Sequence, residues 1–342
     1  AARFIFEWMG HGPEVIEQQI VYFEVLARLS FAPILLAALL GFWSGRGRTV
    51  VVMLIELFCA LANVVLNYML IFGHWGCPEM GIEGAGLATG FSAMLGLAVA
   101  LVLFLAPGSR ARFGTWPRRT FDPALFRRVL RFGSPSGIQF ALDLIAFNLF
   151  VVLLGRLGQV ELEAANLAFA VNALVYLPLV GLGTSVTILV GQAVGARQPD
   201  HARRSVRSAL GLAFIYNTLL GGAMLLLPEW ILQIFAREGD PGQIEAFKQA
   251  TIYMRFITLY LIFDGLYIIY SHAVRGAGDT RFAMAAGIML SWGTLVLPSF
   301  VAHWLGAPAT VLWSILVGHV LCACTLFYLR YRGGKWTRMR VI

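Results

Sequence analysis

Nine apolar runs, each about 20 residues or longer, fill most of this 342-residue chain, at roughly 21–43, 50–72, 85–106, 134–157, 164–194, 208–235, 250–274, 282–304 and 309–329. As a helix rising 1.5 Å per residue, such a run matches the ~30 Å hydrocarbon thickness of a bilayer. Lipid offers no partner for backbone N–H and C=O groups, so only helices or a closed barrel can cross it. A barrel is written in short segments of alternating polarity, whereas these runs stay apolar throughout. The chain therefore reads as an all-α, polytopic membrane protein. A mean hydropathy of +0.76 and a charged fraction of 13% agree, and 36 glycines suit close approach of membrane helices.

Charge orients the runs. All but six of the 26 Lys and Arg residues fall in alternate loops: Arg46/Arg48, Arg110 to Arg131, Arg197 to Arg207, Arg275/Arg281 and the tail from Arg330 to Arg340. The positive-inside rule assigns these loops, and the C-terminus, to the cytoplasm. The net charge of +8 is thus loop charge, not a basic face with stacking aromatics, and nucleic acid is not an expected partner. Cys59, Cys77, Cys322 and Cys324 are scattered and read as small hydrophobes, with no metal-ligand spacing. No phosphate-binding GxxxxGK[ST] loop supports direct ATP drive. An odd number of spans with the tail inside puts residue 1 outside, and the expectation is that upstream helices are missing.

A repeat divides the chain. GRGRTVVVM followed by IFGHWG resembles RGAGDTRFAM followed by VAHWLG at an offset of about 230 residues, implying two related halves. The Arg- and Pro-rich segment 107–131 reads as a cytoplasmic linker between them. The expected organisation is an incomplete N-terminal lobe of three spans (1–106), the linker (107–131), a six-span C-terminal lobe (132–332) and a cytoplasmic tail (333–342).

Five stretches together, NVVLNYMLIFG (63–73), PEMGIEGAGLAT (78–89), GSPSGIQFALDLIAFNLFVVLLGRLG (133–158), VGQAVGARQPDHA (190–202) and RGAGDTRFAM (275–284), resemble the multidrug and toxic compound extrusion (MATE) family, nearest its NorM-like branch. The resemblance implies two helical bundles related by a pseudo-twofold axis along the membrane normal. It also implies that this chain lacks the family's first two helices and most of the third.

An ionisable side chain inside a membrane helix is costly and is a functional candidate by default. Asp143 lies about ten residues into its run, ~15 Å deep, and Asp264 about twelve residues into its own, ~18 Å deep, both counted from the cytoplasmic end. Two carboxylates at similar depth can share one cavity, and Tyr260, one turn before Asp264, shares that residue's helix face. Each carboxylate can be neutralised by a proton or by Na⁺ held among carboxylate, hydroxyl and carbonyl oxygens. The resemblance implicates acids at the positions of Asp143 and Asp264, and the Tyr at 260, in cation coupling. Asp143 stands where those proteins usually carry Glu, a longer arm.

Asn63 and Asn67, one turn apart, resemble the polar pair lining the first lobe's cavity; interhelical glue is the equal alternative. Gln139, Asn148, Asn166 and Asn172 are candidates for the second lobe's cavity or for structural bonds. Pro178 is a candidate helix break or packing kink. Glu24 and Arg28 have the spacing of an ion pair. His303 and His319 lack a partner at metal-ligand spacing, and Trp75, Trp304 and Trp336 are expected interfacial anchors.

The expected function is a cation-coupled (Na⁺ or H⁺) antiporter in the inner (plasma) membrane, exporting amphipathic, often cationic, drug-like compounds by alternating access. It needs no cofactor beyond the coupling ion and works as a monomer among membrane lipids. A lipid-linked precursor flippase of the same superfamily is the alternative, favoured by a basic cavity. A polytopic membrane enzyme is disfavoured, because no cluster of His, Asp or Ser marks one interface.

Overall fold

The computed structural model describes residues 13–116, 121–234 and 243–339. Among the described residues, eight helices are each long and apolar enough to cross a membrane, and a bent pair supplies a ninth crossing if counted as one span. The chain separates into two compact units, Ala1–Phe121 and Asp122–Ile342.

In the first unit, the first apolar run is not one straight helix. It divides into α1 (Pro13–Leu29) and α2 (Phe31–Ser44), bent by 45°. The cause is Pro33: without an N–H it cannot bond the Leu29 carbonyl, and its ring crowds that carbonyl. On α1, Arg28 pairs with Glu24 at 3.1 Å, as their spacing predicts. α3 (Thr49–Phe72) and α4 (Gly81–Leu105) follow, then the short α5 (Pro107–Phe113). α4 packs against α1, α2 and α3. It can do so because its contact positions are glycine: a Cβ on Gly84 would strike the backbone at Leu70, and one on Gly90 or Gly96 would overlap Leu29 or Cys59. α3 is the opposite case, with a surface of exposed Val, Leu and Phe that suits lipid.

The second unit opens with α6 (Pro123–Gly155), which starts within the Arg-rich linker segment. Asp122 caps it, accepting from Ala124 N and Leu125 N at 2.9 and 3.1 Å, with Pro123 in the first turn. Then come α7 (Gln159–Gly195), α8 (Pro199–Leu226), the short α9 (Pro228–Gln233) and α10 (Gln243–Gly276). α11 (Thr280–Leu290) passes through a π-helical segment, Ser291–Val296, into α12 (Leu297–Trp304), and α13 (Ala309–Arg332) ends the unit.

α10 is the central post, packed on α7, α8 and α13, while α6 packs chiefly on α11 and the π segment. Trp313 of α13 is fully buried and stacks on Tyr253 and Phe169, ring centroids 4.7 and 5.1 Å apart. α7 and α10 approach through small residues. Gly183, Thr187 and Gly191 recur every fourth position of α7 and face His272 and Gly276, an arrangement that lets backbones touch in lipid. Thr187 Oγ1 lies 3.0 Å from His272 Nδ1 and donates to the His272 carbonyl at 3.1 Å.

The repeat is visible in the backbone. Gly47 and Gly278, at matching places before α3 and α11, both adopt left-handed φ, +70° and +91°, a region that favours glycine. Beside Gly278, Asp279 is held by Arg330, whose Nη2 and Nε lie 2.7 and 2.8 Å from Oδ2. Trp75 and Trp304 are exposed at span ends, but Trp336 is not an interfacial anchor: it is 2% exposed, stacks on Tyr331 and donates to the Tyr331 carbonyl.

Candidate functional site

The π segment positions one half of the site. Ser291, its first residue, reaches across to α6 and lies with Oγ 2.5 Å from Asp143 Oδ1. From within α6, Gln139 Nε2 donates to Asp143 Oδ2 at 3.2 Å, one turn away. Gln139 is 1% exposed and lies against Gly287, where any Cβ would overlap its amide. Glycine at 287 is thus what allows the amide to reach the carboxylate.

Ser291 Oγ also lies 2.9 Å from the Gly287 carbonyl, so its one hydroxyl hydrogen has two acceptors within reach, that carbonyl and Asp143 Oδ1.

Asp264 of α10 is 8% exposed, and among the described residues its carboxylate makes no hydrogen bond. Gly265 beside it clears room for Asn217 of α8, which donates to the Leu261 carbonyl at 2.8 Å. Tyr260 is 4% exposed, one turn before Asp264 and within its electrostatic range. Tyr176 of α7 and Tyr267 of α10 each lie within electrostatic range of both Asp143 and Asp264. Arg275 interacts with the same two tyrosines, and its Nε is buried without a hydrogen-bond partner.

Asp143, Asp264, Tyr260 and Gln139 therefore belong to one group of side chains within the second unit. Asn172 is half-buried one turn before Tyr176, with its Oδ1 buried and unpartnered. Asn148 is not part of the group's bonding: it is exposed and donates to the carbonyl of Leu144 in its own helix. Asn166 is likewise exposed, on a different face of α7 from Asn172. In the first unit, Asn67 Nδ2 donates to Asn63 Oδ1 at 3.0 Å, so the two amides satisfy each other in part.

Pro178 does not break its helix; α7 runs through it without interruption. The proline leaves the Leu174 carbonyl without its usual partner, and the Tyr216 hydroxyl of α8 donates to that oxygen at 3.2 Å. A bond from the neighbouring helix replaces the missing one, and helical geometry persists.

Sequence reading missed Ser291, Tyr176, Tyr267 and Arg275. Tyr267 carried a signal, three residues beyond Asp264 on the same helix face. Ser291 and Tyr176 carried little, being single polar groups in apolar runs on other helices.

Known proteins resemble this chain in both sequence and fold. The MatE family model matches residues 135–301, a span that includes Asp143, Asp264 and Ser291. The chain is 30% identical over 318 residues to the probable multidrug resistance protein NorM of Pseudomonas syringae pv. tomato (strain ATCC BAA-871 / DC3000), covering 89% of this chain and 68% of that relative. It is 26% identical to a probable NorM of Brucella suis biovar 1 (strain 1330), over 96% of this chain and 70% of the relative. A solved structure described as the outward-facing conformation of a multidrug resistance MATE family transporter of the MOP superfamily superposes with a TM-score of 0.86. It is 19% identical and covers 99% of this chain and 74% of its own.

Long apolar helices carrying the carboxylates Asp143 and Asp264, together with these relatives, define a polytopic membrane transporter. The chain belongs to the multidrug and toxic compound extrusion family.

Proposed function

We propose that this protein exports amphipathic, often cationic, drug-like compounds from the cytoplasm, driven by inward H⁺ or Na⁺, with its C-terminus on the cytoplasmic side of the inner membrane. The observation that carries the reading is that two carboxylates on membrane helices of one unit, Asp143 and Asp264, lie within electrostatic range of the same two tyrosines, Tyr176 and Tyr267. A carboxylate in a low-dielectric site must be neutralised by a proton or a cation, so occupancy by the coupling ion is a change in the charge of this group. Such occupancy drives transport only if the ion and the exported compound favour different openings of the protein, which makes their binding mutually antagonistic. Tyr260 and Asn172 supply further oxygens to a bound cation or drug. An acidic group suits cationic cargo better than a polyanionic lipid precursor.

The test is efflux of a fluorescent cationic dye from membrane vesicles under separately imposed pH and Na⁺ gradients. Wild-type protein is expected to respond to at least one gradient and Asp264→Asn to neither. Gradient-driven efflux that survives Asp264→Asn would overturn the assignment.

A further inference from the structure

We propose that Arg46, Arg110 and Arg112 form a binding site for the phosphate of an anionic phospholipid, at the membrane face where α4 ends. The inference goes beyond the transport reading and does not depend on it.

The site is built within the first unit from the ends of α2, α4 and α5. α4 stops at Leu105, and the turn into Pro107 would orphan its last carbonyls. Two hydroxyls take them up: Ser109 Oγ donates to Leu103 O at 2.9 Å, and Thr115 Oγ1 donates to Phe104 O at 3.0 Å. α5 is thereby tied back against the end of α4. Phe42 of α2 completes the join, edge-on to Phe104 and Phe113 with ring centroids 4.9 and 5.9 Å away.

This aromatic floor holds the arginines. Arg46, in the turn after α2, has its Cζ 4.2 Å from the centre of the Phe42 ring and 3.3 Å from that of Phe113. Arg112 approaches the same Phe113 ring at 5.5 Å, and Arg110 lies over Trp116 at 4.5 Å. The guanidinium carbons of Arg46 and Arg112 are thus within about 9 Å of each other, a gap that one phosphate can span with hydrogen bonds of about 2.8 Å on either side. Stacking occupies the face of a guanidinium and leaves the N–H donors at its edge available. All three arginines are exposed, and among the described residues none donates a side-chain hydrogen bond or forms an ion pair. No Asp or Glu occurs in 41–55 or 101–121 to supply one. Three oriented forks without an anion of the protein's own call for an anion from outside.

The setting selects that anion. Val50 and Met53 in the first turns of α3, and Leu101 and Val102 near the end of α4, are exposed, and both helices are long and apolar enough to cross a membrane. A phospholipid offers a phosphate to the arginines and acyl chains to these apolar side chains, whereas a soluble anion would use the arginines alone. A zwitterionic headgroup sets its own ammonium against the arginines, so a lipid of net negative charge is favoured.

The test titrates the full chain in detergent with phosphatidylglycerol and, separately, with phosphatidylcholine, counting bound lipid by native mass spectrometry. Wild type is expected to bind phosphatidylglycerol about tenfold more tightly than phosphatidylcholine. Arg46→Gln, Arg110→Gln and Arg112→Gln should each weaken phosphatidylglycerol binding about fivefold. Arg204→Gln, which removes an exposed arginine of α8 in the second unit, should stay within about twofold of wild type. Arg46→Lys keeps the charge but loses the planar fork, and should weaken binding about threefold; Phe113→Leu, which removes the shared ring, should do the same. Circular dichroism checks that the compared variants are folded, and Arg46→Lys decides the point if Phe113→Leu is not. An equal loss in Arg204→Gln, or binding untouched by Arg46→Lys, would mean that surface charge and not a built site attracts the lipid, and overturns the proposal. Displacement of the lipid by millimolar inorganic phosphate also overturns it, assigning the arginines to a soluble anion. None of these readouts involves efflux, so their failure leaves the coupling reading untouched.

Discussion

Gly276 ends α10 where it crosses α7, and Gly276→Ala tests how closely that crossing is built. A Cβ there would lie 2.6 Å from Thr187 O and 2.9 Å from Thr187 Cα. Both are main-chain atoms, so no change of rotamer clears them. Restoring ordinary contact at 3.4 Å requires the helices to part by about 0.8 Å. The same movement stretches the two Thr187–His272 bonds, now 3.0 and 3.1 Å, to about 3.8 and 3.9 Å, beyond hydrogen-bond reach. Overpacking costs about 1–3 kcal/mol and each lost bond about 1 kcal/mol. Gly276→Ala is therefore expected to destabilise the second unit by about 3–5 kcal/mol.

The control is Gly181→Ala, made on α7 itself, where nothing lies within 4 Å of the added Cβ. It should be neutral, or stabilising by up to about 1 kcal/mol through helix propensity. Thermal unfolding in mild detergent, followed by tryptophan fluorescence, compares the two under one set of conditions. Equal melting temperatures would refute the close-contact reasoning, because both variants add the same methyl group.

Three further outcomes are expected. Asp279→Ala leaves Arg330 half-desolvated without its carboxylate and should cost about 3 kcal/mol in the same unfolding assay; an unchanged melt would mean the pair contributes nothing. Tyr216→Phe should cost about 1 kcal/mol alone but close to zero in a Pro178→Ala background, where the restored backbone N–H takes over the Leu174 carbonyl; equal costs in both backgrounds would refute the replacement bond. Asp122→Ala removes the cap of α6 and should lower stability by about 1 kcal/mol, seen as faster amide hydrogen exchange over the first turns of α6.

Hydropathy made the crossings legible because each is decided locally, by about 20 consecutive side chains meeting lipid. The exceptions were proline effects. Pro33 split a run that composition alone presents as continuous, whereas Pro178 left its helix whole, and the difference is tertiary: Leu174 has Tyr216 to bond it. Asp143 and Asp264 stood out because charge inside an apolar run is conspicuous without any structure. Ser291 and Thr294 did not, since hydroxyls are tolerated on membrane helices and only the fold brings these two to Asp143 and His319. His319 was set aside for want of a metal-ligand spacing, yet its partner, Thr294, lies on another helix. The Asn residues show the converse limit, because Asn148 and Asn172 read alike in sequence and only packing separates a self-bonded amide from one with a buried free oxygen.

The close seam between α7 and α10 has a mechanical consequence. With 37 and 34 residues, the two helices are about 56 and 51 Å long, well beyond the ~30 Å of hydrocarbon they cross. Where Gly276 meets Gly191 and the Thr187 main chain, backbone lies directly on backbone, so the pair is expected to move as a single stiff beam. Pivoted near its middle, such a beam tilting by about 10° sweeps each tip through about 5 Å. Tyr176 and Tyr267 ride on its two members, so a modest rocking at the carboxylates is magnified at both membrane faces.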